Sequence, residues 1–256
     1  MEHSFSKDYW DEIWQGDRRG PMSVSPPNPH LLTEVADLRP GTALDAGCGA
    51  GAEAVWLASQ GWRVLGADVS QAALALAQDR AAANGVGDLV TWVRADLSTW
   101  EPTEQFDLVT THYAHPAMPQ VEFYERLATW VAPGGTLLIV GHLHHSPDDG
   151  QDQPGHGHPP GGEHQNHGNH QNRDDQRNHD DHQNHDDHQN HGEHQHAKHE
   201  TRPPAEASAT AATITAVLSS ASWDIVTAEE SHRAMTGPNG AETTIHDVVV
   251  RATHHT

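Results

Sequence analysis

The chain has 256 residues, with 14 lysines and arginines against 36 aspartates and glutamates, a formal charge of −22, and 24 histidines. This acidity argues against a nucleic-acid partner, because the chain repels a phosphate backbone. A single cysteine, Cys48, excludes a disulfide framework and a cysteine-built zinc site. No apolar run reaches the ~18 residues that a membrane span needs. The opening segment MEHSFSKDYWDEIW lacks the basic stretch and apolar core of a signal peptide, so a cytoplasmic protein of one to two domains is expected.

In chain order, the aromatic segment 9–14 and the segment 28–32 predict two short helices. Trp10 and Trp14 lie one helical turn apart and suit packing against a sheet, with Trp14 also a candidate border of a ligand cleft. Short, almost wholly apolar runs at 42–46, 63–67, 89–94, 107–111 and 135–141 predict strands covered on both faces. Helical patterns at 51–60, 71–84 and 119–131 alternate with them. That alternation predicts a doubly wound α/β fold with a mostly parallel sheet.

Between 146 and 206 the pattern stops. The segment has no Leu, Ile, Val, Phe, Tyr or Trp, and 13 of the 24 histidines fall between His156 and His199. A stretch this polar cannot bury enough apolar surface to offset its chain entropy, so a disordered low-complexity insert is expected. Hexapeptide units such as NHDDHQ at 178–183 and 184–189 repeat without a gap. Histidine therefore recurs at every third residue, through His164, His167, His170, His179, His182, His185, His188, His191 and His194. Imidazole beside carboxylate suits Ni(II), Zn(II) and Cu(II). A solvated acidic linker grown by repeat slippage accounts for the same composition. With 13 acidic and 4 basic residues, the insert carries −9 of the −22, so the remainder of the chain is acidic too.

After the insert, 214–222 predicts a helix, and 223–228 and 243–251 predict strands joined through Gly237-Pro238-Asn239-Gly240, a hairpin signal. Residues 1–145 and 207–256 thus read as one domain interrupted by 146–206.

Chemistry begins at Ala43-Leu44-Asp45-Ala46-Gly47-Cys48-Gly49-Ala50-Gly51, where a strand runs into glycines that open a helix. Glycine permits positive φ and close approach of backbone to a ligand, and doubly wound folds bind nucleosides at this edge. Gly47-x-Gly49-x-x-Ala52 fits a dinucleotide fingerprint. Asp45 with Gly47-x-Gly49-x-Gly51 instead resembles the first motif of class I S-adenosylmethionine-dependent methyltransferases. Further segments resemble that family in order: Val64-Leu65-Gly66-Ala67-Asp68, Val93-Arg94-Ala95-Asp96-Leu97, Phe106-Asp107-Leu108-Val109-Thr110-Thr111-His112, and Ala132-Pro133-Gly134-Gly135-Thr136-Leu137-Leu138-Ile139-Val140. The aromatic N-terminus and small size resemble, more loosely, the tellurite-resistance and thiopurine methyltransferase branch.

The resemblance implies a seven-stranded sheet ending in an antiparallel hairpin, and S-adenosylmethionine as cofactor. It implies that Asp45, Gly47, Cys48, Gly49 and Gly51 shape the methionine side of the pocket, Asp68 with Val69 holds the ribose, and Asp96 with Leu97 holds the adenine. His112 and Trp14 complete the expected wall. Asp45 also suits a role in satisfying backbone donors of the turn, and Cys48 that of a small residue filling it. His112, Tyr113 and His115 follow the fourth strand and are the candidate catalytic residues, with His112 equally suited to lining the cleft. His142, His144 and His145 follow the fifth strand on the same rim. Transfer from a sulfonium is an in-line displacement that depends mainly on alignment and exclusion of water. The expected activity is methyl transfer to a small molecule such as a thiol or metalloid. A metal-sequestering protein on a methyltransferase-like scaffold is the other reading.

Overall fold

The computed structural model describes residues 5, 7–16, 19–143, 208–236 and 242–256. Its N-terminal region forms three helices, α1 (Lys7–Gln15), α2 (Arg19–Ser23) and α3 (Pro29–Glu34), one more than the sequence suggested. Asn28 caps α3 by accepting from the His30 amide, and Pro29 opens the first turn, where its missing N–H costs nothing. The missed α2 is only five residues long and contains Gly20 and Pro21, which hide a helical pattern.

Strands and helices then alternate: β1 (Thr42–Ala46), α4 (Ala52–Ser59), β2 (Arg63–Asp68), α5 (Gln71–Ala83), β3 (Val90–Arg94), β4 (Phe106–His112), α6 (Gln120–Ala128) and β5 (Val131–Leu143). After the undescribed segment come β6 (Ser208–Ala209), α7 (Ala211–Ala216), β7 (Trp223–Thr236) and β8 (Glu242–His254). The long strands lie in the order β3-β2-β1-β4-β5-β8-β7, and the two-residue β6 pairs with β5 off that path. The first five are mutually parallel, whereas β8 runs antiparallel to both β5 and β7. This is the Rossmann-like arrangement with a C-terminal antiparallel pair that the strand pattern predicts.

Alternation along the strands builds two cores. Leu44, Val109, Leu137, Ile139 and Val250 face α6 and α7, where Phe123, Leu127 and Ile214 meet them. Their neighbours Ala43, Leu108, Leu138, Val140 and Val249 face the other way, toward Leu31 of α3 and Leu57 of α4. Each fully buried aliphatic side chain of this kind contributes roughly 1.5–3 kcal/mol.

Several expected boundaries shift, and β5 spans Val131–Leu143 rather than 135–141. α6 ends at Ala128 rather than 131 because Val131 already pairs with Phe106 of β4. α7 occupies Ala211–Ala216 instead of 214–222, started by a reciprocal cap between Thr210 and Thr213. The hairpin strands extend to 14 and 13 residues, far beyond the apolar runs at their cores. The Gly237–Gly240 turn signal and the insert at 146–206 lie outside the described residues.

Candidate active site

All parallel strands end on one edge, and the chain turns there at Gly47, Gly49 and Gly51, each with positive φ. At Gly47, with φ 81°, a side chain would strike the Ala114 methyl, and at Gly49 a Cβ would stand 3.0 Å from the Trp14 ring. Only glycine lets both walls close this tightly. The Gly47 and Cys48 amides donate to the Ala67 carbonyl at 2.8 and 3.1 Å, which ties the turn to the end of β2.

Asp68 is the pivot between turn and helix. Its Oδ2 accepts from the Gly49 amide at 2.8 Å and its Oδ1 from the Ser70 amide at 2.8 Å. A carboxylate has about four lone-pair positions, so acceptor capacity remains beyond these two bonds. Burial pushes the Asp68 carboxyl above its ordinary range, with the backbone donors Ser70, Gly49 and Val69 acting against that shift. Ser70 in turn caps α5.

A cavity of about 290 Å³ opens beside this turn. Gly47, Cys48, Gly49, Asp68, Val69, Asp96, Leu97, His112, Tyr113, His115 and Trp14 all line it. Asp96, at an exposed position, accepts with Oδ1 from the Ser98 amide and hydroxyl, at 2.9 and 2.6 Å. Asp45 and Gly51 are not in the wall. Asp45 is 1% exposed, one of its oxygens is without a partner, and burial followed by the nearby Glu53 raises its carboxyl well above the ordinary range. Gly51 begins α4 and makes room for Trp92 and Ala77. Both therefore shape the cavity from behind. Cys48 is buried, and desolvation with the neighbouring Asp68 and Asp45 keeps its thiol protonated, which suits a filler rather than a nucleophile.

The far wall follows β4. His112 holds both ring nitrogens buried without a partner, and burial drives its pKa down to about 3. Tyr113 adopts a left-handed backbone with φ 53°. Its hydroxyl donates to Asp247 Oδ1 at 2.7 Å and accepts from Arg233 Nη2 at 3.1 Å. Asp247 is wholly buried and also pairs with Arg233 Nε at 2.7 Å and His30 Nε2 at 3.2 Å. His115 is nine-tenths buried, with its ring against Phe5, Trp10 and His142. His142 stacks between His115 and Tyr113, and burial lowers its pKa to about 4. His144, His145 and the nine repeat histidines lie outside the described residues.

Sequence reasoning missed Asp247, Arg233, His30, Glu53 and Gln120. Asp247 leaves the clearest trace, a lone carboxylate next to the run Val248-Val249-Val250. Glu53 accepts from the Asn28 amide at 3.0 Å and so fastens the N-terminal helices to α4.

Residues 43–135 match the family described as "Methyltransferase domain". The chain is 30% identical over 136 residues to a probable thiol methyltransferase 2 of Arabidopsis thaliana, covering 51% of this chain and 60% of that one. It is 36% identical over 110 residues to thiocyanate methyltransferase 1 of the same plant, covering 42% and 46%. The chain thus spans about half the length of these curated relatives. Magnesium protoporphyrin IX methyltransferase of Synechocystis PCC 6803, crystallised with bound S-adenosylmethionine, superposes with a TM-score of 0.55 at 13% identity over the whole of both chains.

Proposed function

We propose that this protein is a class I methyltransferase that transfers the methyl group of S-adenosylmethionine to a small-molecule acceptor. The observation that carries the reading is Asp68, a carboxylate tied to the glycine turn that keeps acceptor capacity on the wall of a glycine-walled cavity. That acceptor suits the hydroxyls of a ribose diol, and the space left by Gly47 and Gly49 suits the chain next to it. S-adenosylmethionine, when bound, supplies a methyl group activated by a sulfonium. Asp68 and Val69 hold the ribose, Asp96 and Leu97 flank the adenine, and Gly47, Cys48 and Gly49 line the methionine side. Asp45 and Gly51 support that turn from below. Trp14 and the aromatic helix α1 exclude water from the reacting centre.

The domain consists of 1–145 and 207–256, a reading supported by the grouping of 1–145 with 202–256 as one packed unit. The segment 146–206 is read as a low-complexity insert that binds Ni(II), Zn(II) or Cu(II) through its repeated histidines and takes no part in catalysis. The acidity of the chain supports a small molecule over nucleic acid. No helix among the described residues is long and apolar enough to cross a membrane. The single cysteine supports a cytoplasmic location.

Titration calorimetry with S-adenosylhomocysteine tests the cofactor reading, and micromolar binding that Asp68→Ala weakens is the expected result. An acceptor screen with labelled S-adenosylmethionine over thiols, metalloid oxyanions and small phenols follows. Nickel or zinc titration of the full chain and of a 147–204 deletion tests the insert, with stoichiometric binding expected only for the former. A protein that binds metal but not S-adenosylhomocysteine is a metal-sequestering scaffold instead.

A further inference from the structure

The three polar residues that follow β4 into the cavity differ in what their hydrogen bonds leave free. His112 has no ring nitrogen open to the cavity, since both are buried. The Tyr113 hydroxyl already donates to Asp247 and accepts from Arg233. His115 is different. Its Nδ1 lies 3.1 Å from Gln120 Oε1, and the Gln120 amide nitrogen donates to the Ala114 carbonyl at 2.9 Å. The nitrogen of the amide is thereby assigned to Ala114, so the oxygen faces His115 and accepts from Nδ1–H. Nε2 then carries the lone pair, has no partner among the described residues, and belongs to a side chain that lines the cavity.

The surroundings keep this imidazole neutral. Phe5 and Trp10 flank it at ring separations of 5.2 and 6.5 Å, and His142 stacks on it at 5.4 Å. Burial lowers the His115 pKa, opposed by Gln120. Of the titratable groups nearby, His142 and Tyr113 are neutral at pH 7. Lys7 on the wall is paired with Asp11 at 2.7 Å. Arg80, the other cation on the wall, donates to the Ser25 and Ala50 carbonyls. Both cations thus make contacts within the protein, and Phe5, Trp10, Trp14 and Met22 give the wall a broad apolar surface.

On the methyltransferase reading above, we propose that His115 is the general base, oriented by Gln120, and that the acceptor is a neutral hydroxyl or thiol on an apolar, planar skeleton. His115 Nε2 takes the acceptor proton as the new oxygen–carbon or sulfur–carbon bond forms. The methyl–sulfonium bond breaks with its electron pair staying on sulfur, leaving a neutral thioether, a methylated acceptor and an imidazolium. A soft inorganic anion would need neither the base nor the apolar wall.

The test compares 1-naphthol with thiocyanate, which has no proton to lose, using labelled S-adenosylmethionine. The wild-type protein is expected to favour naphthol. His115→Gln is expected to lower naphthol kcat about 100-fold with KM nearly unchanged, and to leave S-adenosylhomocysteine binding intact. Gln120→Glu places a carboxylate on Nδ1, raises the imidazole pKa and moves the acid limb of kcat/KM to higher pH. Nitrogen NMR of His115 is expected to show Nδ1 protonated and Nε2 bare. The proposal is overturned by a preference for thiocyanate, by naphthol turnover that survives His115→Gln, by a protonated Nε2, or by no naphthol turnover in a protein that binds S-adenosylhomocysteine. Absent S-adenosylhomocysteine binding is a separate result that overturns the methyltransferase reading itself.

Discussion

The cavity is made by two parts of the sheet that obey different rules. The β1–β2 side is local: Gly49 and Asp68, which it joins, are 19 residues apart, and the strands are five and six residues long and covered on both faces. The β7–β8 side is distant in sequence and open at its edge. Tyr113 reaches Asp247 across 134 residues, and Ile225 and Val226 of β7 remain 41% and 53% exposed. On the proposed function, the local side, built from backbone and glycine, is the one that would hold the cofactor. The distant side, built from a buried carboxylate with its partners, fixes the wall on which the acceptor would rest. Cofactor and acceptor functions should therefore separate under mutation.

Gly47→Val is expected to have the largest effect, because it combines a clash at Ala114 with a positive φ that a branched residue rarely adopts. S-adenosylhomocysteine affinity should fall more than about 100-fold, read by calorimetry. Asp68→Ala comes next, with about a 10–100-fold loss of affinity, from the loss of charge-assisted hydrogen bonds, and a lower Tm because Gly49 and Ser70 lose their acceptor. Asp247→Asn should invert that pattern. It weakens the pairing with Arg233 and His30 and lowers stability by about 1–3 kcal/mol, while cofactor affinity stays within about twofold. Equal losses of cofactor affinity in both variants would erase the division between the two sides.

The pH dependence of stability sharpens the same contrast. His112 and His142 titrate at about 3 and about 4 in the folded protein, below the ordinary value of 6.5. At these two imidazoles the unfolded chain thus binds more protons between these limits. Their contribution to stability is fully present above about pH 6.5 and declines toward pH 4, by at most about 1.4 kcal/mol per pH unit for each imidazole, while the raised carboxyls of Asp45 and Asp68 act in the opposite sense. Denaturant melts of wild-type protein and His112→Phe check this, with a shallower acid slope expected for the variant. The smallest effect is expected from removing 147–204, a change of no more than about 2 kcal/mol by loop-closure entropy, with S-adenosylhomocysteine affinity unchanged.

The two sides also differ in how plainly the sequence announces them. Gly47-Cys48-Gly49 and Asp68 stand beside strand ends, so period and glycine placement locate them, Asp96 follows from the family resemblance, and the cavity does contain them. Asp45 and Gly51 belong to the same motif, yet they lie behind the wall, a distinction that spacing cannot express. Asp247 and Arg233 meet Tyr113 only because β8 inserts between β5 and β7, and no local pattern encodes that pairing. Gln120 looks like an ordinary first residue of α6 until the fold sets its amide against His115. The long β7–β8 hairpin was underestimated for a related reason. Its outer halves are held by cross-strand pairing of polar residues such as Ser231 with Asp247 and His232 with His246, which carry little hydrophobic signal.

One consequence concerns how this chain changes over generations. β5 and β6 pair in register, His142 with Ser208 and Leu143 with Ala209, so the chain departs from the sheet and rejoins it at neighbouring positions. Two adjacent anchor points impose almost no length requirement on whatever joins them. Doubling the joining segment adds only about 0.6 kcal/mol of closure entropy. Copy-number change in the hexapeptide tract is thus nearly invisible to folding. Close homologues are expected to differ in the number of NHDDHQ-type units while keeping the four paired anchor residues, with tract length set by whatever the histidines are used for.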